Sequence, residues 1–464
     1  MMPAVTLSLP QKIHGQLAEH LFPGDGLEAA AVLVCTAVPG PRQRFLARDV
    51  VLVPYEKCER RAPDLLVWPG ECIEQAIDLA EREQLSLFLV HSHPGGYPDF
   101  SALDDQSDRD VLPCLFAAVG RQHGTAVMLP NGFIFARMYG QEGDHSPVDL
   151  VSVAGDDLQF FWSDDRQRRA SRPIAFTGDM SSELSRLTAC VVGASGTGSI
   201  VFEQVSRLGF GRVVPIDFDH VEDKNLNRIL NTTKEDAREK RLKVDVLAAR
   251  ANLTRDAAFV DPVAANLLSR RAVLAASQAD VLFVCVDTHR GRSIADRIAQ
   301  AFLMPLFDVG VAIPTRETPS GRVIDETTGR IDYVQPGGST LGDRGVYTPA
   351  TLQAEALAES DPEAFAAQVK AGYIEGMPEQ APAVISLNMR AASACVMEFI
   401  ARGYPFRHEP NGRYARTRFM LAECFEEFTA ESEFTTRPNP DLGRGSREPL
   451  LGLPALGTDE REAP

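Results

Sequence analysis

The sequence predicts an α/β protein with two folded domains, one built on a mixed sheet and one on a parallel sheet. Three observations support this prediction. The chain has 464 residues, which is long for a single hydrophobic core. Its apolar content of 44% is ample for globular cores. Two separate stretches, 1–145 and 181–435, alternate apolar strand-like runs with helical patterns.

Residues 1–145 are predicted to form the first domain. The apolar runs AAAVLVC, LSLFLV and GFIFARMY have the length of buried strands, and GECIEQAIDLAEREQ has the period of an amphipathic helix. This alternation predicts a mixed sheet with helices. Residues 146–180 turn polar and charged, and we expect a connector there that can still pack on a neighbour.

Residues 181–435 are predicted to form the second domain. The strand TACVVG leads through a glycine turn into the helical SIVFEQVSRLGF, then into the strand RVVPIDFD, and later come KVDVLAARANL and ADVLFVCVD. This rhythm is typical of a parallel, Rossmann-like α/β unit. Residues 436–464 are rich in Pro and Gly and lack periodicity, so we expect a disordered tail.

Composition argues against several classes of function. The net charge is −17, with 64 acidic against 47 basic residues, and phosphate neutralisation needs a basic surface, so we expect no nucleic-acid partner. We expect no membrane association either, because no apolar run reaches the ~18 residues of a spanning helix and the first residues lack the features of a signal peptide. The eight cysteines form no C-x-x-C pair, which is typical of reduced thiols. Together these features predict a cytoplasmic location.

The stretch HSHPGGYPDFSALDD places two histidines at the end of a predicted strand. Since a strand alternates its faces, His91 and His93 point the same way. Ser101 has the position of a helix N-cap, and Asp104 in the first helical turn can reach back toward the imidazoles. Two imidazoles and one carboxylate are the ligands expected of a catalytic zinc. The alternative is a polar loop in which Ser101 and Asp104 only cap the helix.

The whole string resembles the signature of the JAB/MPN metalloisopeptidase family, H-S/T-H-P-x6-S-x-x-D. It runs His91-Ser92-His93-Pro94, six residues, Ser101, two residues and Asp104. The resemblance implies that His91, His93 and Asp104 bind Zn²⁺. It also implies that Glu28, at the head of the run LEAAAVLVC, is the general base that takes a proton from water, and that Ser101 steadies the oxyanion.

Three glycines, Gly193, Gly196 and Gly198, lie between the first strand and helix of the second domain. A helix N-terminus at this point can hold phosphate. The spacing departs from the dinucleotide motif G-x-G-x-x-G because Ser195 occupies the second glycine position. Asp217, at the end of the next strand, can bind a ribose in an NAD or an ATP site, and Asp219 can reach magnesium. From the residues alone, both nucleotides stay open.

The further motifs DFDHVEDKNLNR, KRLKVDVLAARAN and VCVDTHRGR resemble the ThiF/MoeB/ubiquitin-activating-enzyme superfamily. This resemblance implies ATP and Mg²⁺ as cofactors and the adenylation of a carboxylate. RQRRASRP resembles the segment of that family that carries an arginine finger, and it implies a homodimer in which Arg172, perhaps with Arg169, serves a neighbouring site. The resemblance assigns the ribose to Asp217, the phosphates to Asn225, Arg228 and Lys243, and magnesium to Asp287 with support from Arg292.

Several positions depart from that family's pattern. Thr288 and His289 stand near its usual asparagine, and Ile229 replaces the glutamine after Arg228. The two C-x-x-C zinc pairs of many members are missing, and no cysteine lies between Cys285 and Cys395, where many members carry a thioester nucleophile.

The two cysteines that follow this stretch, Cys395 and Cys424, offer no clear replacement for that nucleophile. Cys395 has the pattern of a core residue in a helix, and Cys424 is flanked by acids that raise a thiol pKa. We therefore expect a product that stops at the acyl-adenylate.

The two resemblances together imply a bifunctional enzyme of a bacterial-type ubiquitin-like pathway. A zinc (iso)peptidase would process the C-terminus of a ubiquitin-like protein, and the adenylation domain would activate it. A conjugating-enzyme-like protein is a further candidate partner. One alternative is the processing and activation of a sulfur-carrier protein in cysteine, thiamine or molybdopterin synthesis. Another is an intact peptidase joined to a degenerate nucleotide-binding scaffold.

Overall fold

The computed structural model describes residues 2–165, 172–371 and 384–457. The first part of the chain alternates strands and helices as expected. Its elements are β1 (Val5–Pro10), α1 (Gln11–Leu21), β2 (Ala30–Val38), β3 (Gln43–Leu52), β4 (Arg60–Arg61), β5 (Leu66–Val67), α2 (Gly70–Glu83), β6 (Ser86–Ser92), α3 (Ala102–Val119), β7 (His123–Met128), β8 (Ile134–Tyr139), β9 (His145–Pro147), β10 (Leu150–Ala154) and β11 (Leu158–Trp162).

Nine of these strands form a mixed sheet in the order β11-β10-β1-β3-β2-β6-β7-β8-β9, and β4 and β5 pair separately. Successive residues of β2 point to opposite faces of the sheet. Leu33 packs in the cluster that includes α1, whereas Val32 and Val34 pack in the cluster that includes α2 and α3. Both faces are therefore covered, which explains why β2 is continuously apolar and confirms the predicted mixed sheet with helices.

The predicted connector contributes two strands to this first sheet. β10 pairs in parallel with β1, and β11 pairs antiparallel with β10. Leu150 and Trp162 are buried. The expected connector over 146–180, which could still pack on a neighbour, is thus part of the first sheet as far as Trp162. Its two strands are only five residues long each, too short for a clear alternation to stand out among the charged neighbours.

The second part carries the strand–helix rhythm that the sequence predicts. Its elements are α4 (Gly178–Leu184), β12 (Thr188–Val192), α5 (Gly196–Leu208), β13 (Arg212–Ile216), α6 (Lys234–Arg238), α7 (Lys243–Ala251), α8 (Arg270–Ala276), β14 (Val281–Val284), α9 (His289–Ala301), β15 (Leu306–Ala312), β16 (Thr315–Thr318), β17 (Gly321–Ile324), β18 (Thr328–Val334), α10 (Pro349–Ser360), α11 (Pro362–Lys370), α12 (Ile385–Gly403), β19 (Arg416–Met420) and β20 (Phe425–Thr429).

Seven strands form the second sheet, in the order β13-β12-β14-β15-β18-β19-β20. The first four run parallel, and the last three join antiparallel. From β12 the chain first moves to β13 on one side and then returns to β14 on the other. The sheet thus has a topological switch point between β12 and β14, and ligands of open α/β sheets bind in the crevice at the carboxyl ends of such strands.

The segment predicted to be a disordered tail is packed against the second domain over residues 442–456. Leu450, Leu451 and Leu456 are buried in a core cluster with α8 and α9. Gly443 and Gly445 donate backbone hydrogen bonds to the last turn of α9. The prediction of disorder is therefore wrong for these residues. The segment forms only short 3-10 turns, so its buried leucines follow no periodic pattern.

The two parts of the chain also share a buried polar interface. Arg42 Nη2 lies 2.5 Å from Asp280 Oδ1, and Arg44 Nη2 donates to the carbonyl of Phe302 at 3.1 Å. Val38 and Leu46 of the first sheet lie in the same apolar cluster as β12 and β14. Within the residues that the structure describes, no helix combines the length and apolar character needed to cross a membrane.

Candidate metal centre and nucleotide site

The candidate metal centre lies where β6 ends beside β2. His91 pairs in register with Ala30 of β2 and Val127 of β7, so its strand is held on both sides. His93 follows directly, and its backbone amide donates to the carbonyl of Met128 at 3.0 Å. Both imidazoles point to one side of this strand end, as the alternation predicts.

Ligand atoms of three residues converge at this point. His91 Nε2 lies 3.1 Å from His93 Nε2 and 3.1 Å from Asp104 Oδ1, and His93 Nε2 lies 3.5 Å from Asp104 Oδ2. All of these atoms lie within 4.8 Å of one another. The sequence therefore predicted correctly which three side chains come together.

This donor set fits zinc. A tetrahedral ion about 2.0–2.1 Å from its ligands separates them by about 3.3 Å, close to the spacings observed here. The Nδ1 atom of His93 lies 2.9 Å from the carbonyl of Tyr97, which leaves Nε2 as the ligand atom. Two Nε2 acceptors facing each other beside a carboxylate repel one another unless a cation or protons lie between them.

Ser101 and Asp104 also form the helix cap that was the alternative explanation. The amide of Asp104 donates to Ser101 Oγ at 3.1 Å, and the amide of Ser101 donates to Asp104 Oδ2 at 2.5 Å. The two explanations are compatible, because the cap aims the carboxylate at the histidines and a hydroxyl that accepts one bond can still donate its hydrogen. Burial opposes ionisation of Asp104, but hydrogen bonds from His91 and His93 outweigh it and hold its pKa well below the usual value.

Glu28 lies just before β2 and is 8% exposed. Burial raises the pKa of its carboxyl, and the positive field of His91 and His93 opposes that rise. The backbone brings Glu28 close to the histidine strand, because its neighbour Ala29 exchanges two hydrogen bonds of 3.0 Å with Ser92, the residue between His91 and His93. A buried carboxyl of raised pKa next to a metal site has the properties of a general base.

The glycine loop of the second domain occupies the switch point. Gly193 has φ +89°, and a Cβ there would lie 2.8 Å from the carbonyl oxygen of Cys285 at the end of β14. A Cβ on Gly198 would lie 1.8 Å from the carbonyl oxygen of Gly193. These two positions therefore need glycine, because the loop turns tightly and α5 begins against it. The N-terminus of α5 is left facing the crevice where an anion can bind.

Asp217 follows β13 and holds this loop. Its carboxylate accepts hydrogen bonds from the amide of Ala194 at 2.7 Å and from the amide of Asp219 at 2.8 Å. Burial raises its pKa, and nearby Lys243 opposes that rise. The residue predicted to bind the ribose thus lies beside the glycine loop.

The predicted phosphate-binding residues lie around the same crevice but already have protein partners. Lys243 Nζ is buried 2.7 Å from Asp219 Oδ2. Asn225 is buried and accepts from the amide of Glu222 at 3.2 Å. Arg228 donates to the carbonyl of Lys224 at 2.9 Å, and its side chain lies against Gly196.

Asp287 is exposed in the loop after β14, at the switch point. Arg292, which was expected to support it, instead lies 3.0 Å from the buried Asp308. Asp308 also pairs with Arg330. Arg292 therefore has a structural ion pair inside the domain, because the unpaired burial of Asp308 would be costly.

The structure describes one of the two candidates for the arginine finger. Arg172 Nη1 lies 2.9 Å from Asp157 Oδ2 of the same chain. Arg169 lies outside the described residues.

In the loop at the position where many members of the resembled superfamily carry a cysteine, Ser339 is buried and hydrogen-bonded. The Oγ of Ser339 accepts from Arg344 Nε at 2.9 Å, and the Ser339 amide donates to Glu431 at 2.6 Å. Cys395 is buried in the core of the second domain, which confirms the prediction, and burial raises its pKa well above the usual value. Cys424 is exposed.

The sequence did not predict two sets of hydrogen bonds in these sites. Arg61 donates to the backbone carbonyl of Glu28 at 3.0 Å. The carboxylate of Glu355 accepts from the amides of His289 and Arg290 at 2.7 and 2.9 Å, at the N-terminus of α9. Both contacts join residues far apart in the chain, and no local motif signals them.

Comparisons with known proteins match both domains. Residues 10–130 match the family model of prokaryotic homologs of the JAB domain, and residues 168–380 match that of the ThiF family.

Curated relatives match part of the second domain. They include "Ubiquitin-like modifier-activating enzyme 5" of Culex quinquefasciatus, 24% identical over 166 residues that cover 33% of this chain and 38% of the relative. The protein of the same name from Bombyx mori is 26% identical over 171 residues, which cover 34% of this chain and 39% of the relative. The chain thus spans about two fifths of the length of these relatives. Among solved structures, E. coli MccB with ATP has 17% identity and a TM-score of 0.41, covering 57% of this chain and 68% of that one.

Proposed function

From a chain that joins a JAB domain to a ThiF-family domain, we propose a bifunctional enzyme that acts on the C-terminus of a ubiquitin-like protein. The first domain is a zinc-dependent (iso)peptidase, and the second adenylates the exposed carboxylate with ATP. The observation that carries the proposal is the convergence of His91, His93 and Asp104, next to a strand that is hydrogen-bonded to the segment of the buried Glu28.

In the peptidase, His91, His93 and Asp104 would hold the zinc ion. When bound there, zinc supplies a Lewis acid that lowers the pKa of water to about 7 and polarises a carbonyl. Glu28 takes the proton from the attacking water and delivers it to the leaving amine. The hydroxyl of Ser101 donates to the developing oxyanion, a contact worth about 3 kcal/mol for one well-placed donor.

In the adenylation domain, the carrier carboxylate attacks the α-phosphorus of ATP, and pyrophosphate leaves. Such a step depends on positioning and charge neutralisation. The amides of the glycine loop, Lys243 and Arg228 hold the phosphates, Asp217 binds the ribose, and Asp287 and Asp219 would hold magnesium. Since Lys243 pairs with Asp219 here, the lysine exchanges this partner for phosphate oxygens when ATP binds.

The proposed partner is a small carrier protein with a flexible C-terminal tail and a free carboxylate. The names of the relatives support a ubiquitin-like modifier as that carrier. Both proposed activities act on the same end of such a protein, so cleavage of a precursor or conjugate generates the carboxylate that the second domain activates. A homodimer in which Arg172 leaves Asp157 and reaches a neighbouring site belongs to the same proposal.

The reaction is proposed to stop at the acyl-adenylate. Two observations support this: Cys395 is buried and offers no accessible thiolate, and the loop around Ser339 contains no cysteine. A non-reducing gel of enzyme, ATP and carrier is expected to show no thiol-sensitive adduct. An adduct that disappears in Cys424→Ser would make Cys424 a transfer residue instead.

The peptidase proposal is tested by measuring zinc and cleavage together on the full chain. Wild-type protein is expected to bind one zinc and to cleave a ubiquitin-like protein fused to a peptide. Glu28→Ala should keep the zinc and lose the cleavage, because Glu28 moves protons and is not a ligand. A Glu28→Ala protein that is empty of zinc would refute this division of roles.

A further inference from the structure

The proposed general base lies outside any strand or helix. Glu28 belongs to the irregular segment between α1 and β2, and such segments are mobile unless other elements fix them. A general base, however, must stay within hydrogen-bond reach of the proton that it takes. The contacts that hold this segment therefore decide whether Glu28 can act.

Backbone hydrogen bonds fix the segment from two sides. The amide of Glu28 donates to the carbonyl of Ala62 at 2.9 Å, next to β4. On the other side, the amide of Ala29 donates to Ser92 Oγ, and the amide of Ser92 donates to the carbonyl of Ala29, both at 3.0 Å. Ser92 stands between His91 and His93, so this pair of bonds ties the base to the metal-binding strand.

The side chain of Arg61 also holds this segment. Its Nε donates to the carbonyl of Glu28 at 3.0 Å, and its Nη1 lies 3.0 Å from Asp25 Oδ2 in the same segment. The guanidinium lies 4.2 Å above the ring of Tyr55, which itself stacks on His20 at a centroid distance of 4.7 Å. Only 12% of the Arg61 side chain is exposed. One flat cation thus bridges both ends of the segment 25–28 and is itself held by aromatic packing.

We infer that Arg61 is a positioning residue that holds Glu28 in place for proton transfer at the metal centre. This inference rests on the proposed peptidase function. Arg61 bonds to the backbone of Glu28, and none of its contacts is with His91, His93 or Asp104. Lysine cannot replace it, because a single ammonium cannot make two directed bonds and stack flat on Tyr55 at once.

The test compares Arg61→Ala and Arg61→Lys with the wild type, using full-length protein loaded with zinc and a ubiquitin-like protein fused to a fluorescent peptide. Both variants are expected to keep one zinc with unchanged affinity and an unchanged KM. Their kcat should fall about 10- to 100-fold, because a misplacement of about 1 Å can cost that much. Amide hydrogen exchange over residues 25–29 should become faster.

Arg60→Ala is the matched control. Arg60 is the exposed neighbour in the same strand, and its removal takes away the same charge. It is expected to leave kcat and the exchange of residues 25–29 unchanged. In a Glu28→Ala background, Arg61→Lys should cost no further activity, because Arg61 acts only through Glu28.

The possible outcomes separate the inference from the function on which it rests. A wild type that cleaves no ubiquitin-like fusion overturns the proposed peptidase and the inference with it. If the wild type is active, full kcat in Arg61→Lys, or loss of zinc from it, overturns the inference alone. Should Arg61→Ala fail to fold, the Arg61→Lys result decides.

Discussion

The two candidate sites of this chain are built in opposite ways. In the metal centre, the ligand atoms of His91, His93 and Asp104 face one another at 3.1–3.5 Å, and the stretch that carries them is short. In the nucleotide site, the candidate residues come from elements far apart in the chain, and two of the candidate cations already have carboxylate partners. Lys243 pairs with Asp219, and Arg172 pairs with Asp157.

This difference bears on how each site binds its ligand. The candidate metal centre has its three side chains in place, so a zinc ion would relieve repulsion between groups that are already fixed. The proposed nucleotide site would have to exchange the ion pair of Lys243 for phosphate contacts, so part of its binding energy would be spent on rearrangement. Removal of a ligand from the metal centre should therefore abolish zinc binding outright. Removal of a charged residue from the nucleotide site should lower pyrophosphate exchange by degrees.

The largest effect is expected from His93→Ala. With one ligand removed, zinc binding should be lost and cleavage should fall by more than about 10³-fold. His145→Ala, in the exposed strand β9, is the control and should change neither quantity. Metal analysis by mass spectrometry and a cleavage assay measure the two. A zinc-loaded, active His93→Ala protein would show that the centre is not where we place it.

A smaller effect is expected from Lys243→Ala. Pyrophosphate exchange that depends on ATP and carrier should fall by about 10²- to 10³-fold, because a buried cation that neutralises transferring phosphate is removed. Lys234→Ala, at the exposed start of α6, serves as the control. Peptidase activity should be unaffected. Equal exchange rates in the two variants would mean that Lys243 only partners Asp219.

Ser101→Ala should lower cleavage about 10²-fold and the free energy of unfolding by about 0.5–2 kcal/mol through loss of the helix cap. Ser101→Gly should lose the same activity but only a few tenths of a kcal/mol, because glycine is a tolerable N-cap. Thermal unfolding of the metal-free protein gives the stability. If cleavage falls in Ser101→Ala but stays near the wild-type rate in the more stable Ser101→Gly, Ser101 acts only as a helix cap.

The smallest effect on either activity is expected from Leu450→Ala, in the packed C-terminal segment. Leu450 is fully buried, so about 2–5 kcal/mol of stability should be lost while both active sites keep their geometry. Leu453→Ala, at a half-buried position, should cost less. Chemical denaturation measures both. A Leu450→Ala protein with unchanged stability would favour the disorder that the composition suggested.

Short-range patterns predicted that His91, His93 and Asp104 come together, because the geometry of this cluster is local. Strand alternation aligns His91 with His93, and the spacing from Ser101 to Asp104 is that of a capping box. The glycine loop was also predicted correctly, since strand, tight turn and helix follow one another directly. Each of these features needs only the neighbouring residues.

Features that depend on long-range packing were missed. The pairing of Arg292 with Asp308 and the bond from Arg61 to Glu28 join separate elements, and no local pattern specifies them. Leu450 packs in a segment without periodicity, so composition alone wrongly predicted disorder there. Strand β10 joins the first sheet by pairing with β1, at the start of the chain.

We propose that this one chain carries two independent active sites. The most direct test measures peptide cleavage and ATP–pyrophosphate exchange on the same preparations of wild type, Glu28→Ala and Asp287→Ala. Both activities are expected in the wild type, with loss of cleavage alone in Glu28→Ala and loss of exchange alone in Asp287→Ala. A zinc-loaded wild type without cleavage, or a single substitution that abolishes both activities in folded protein, would contradict it.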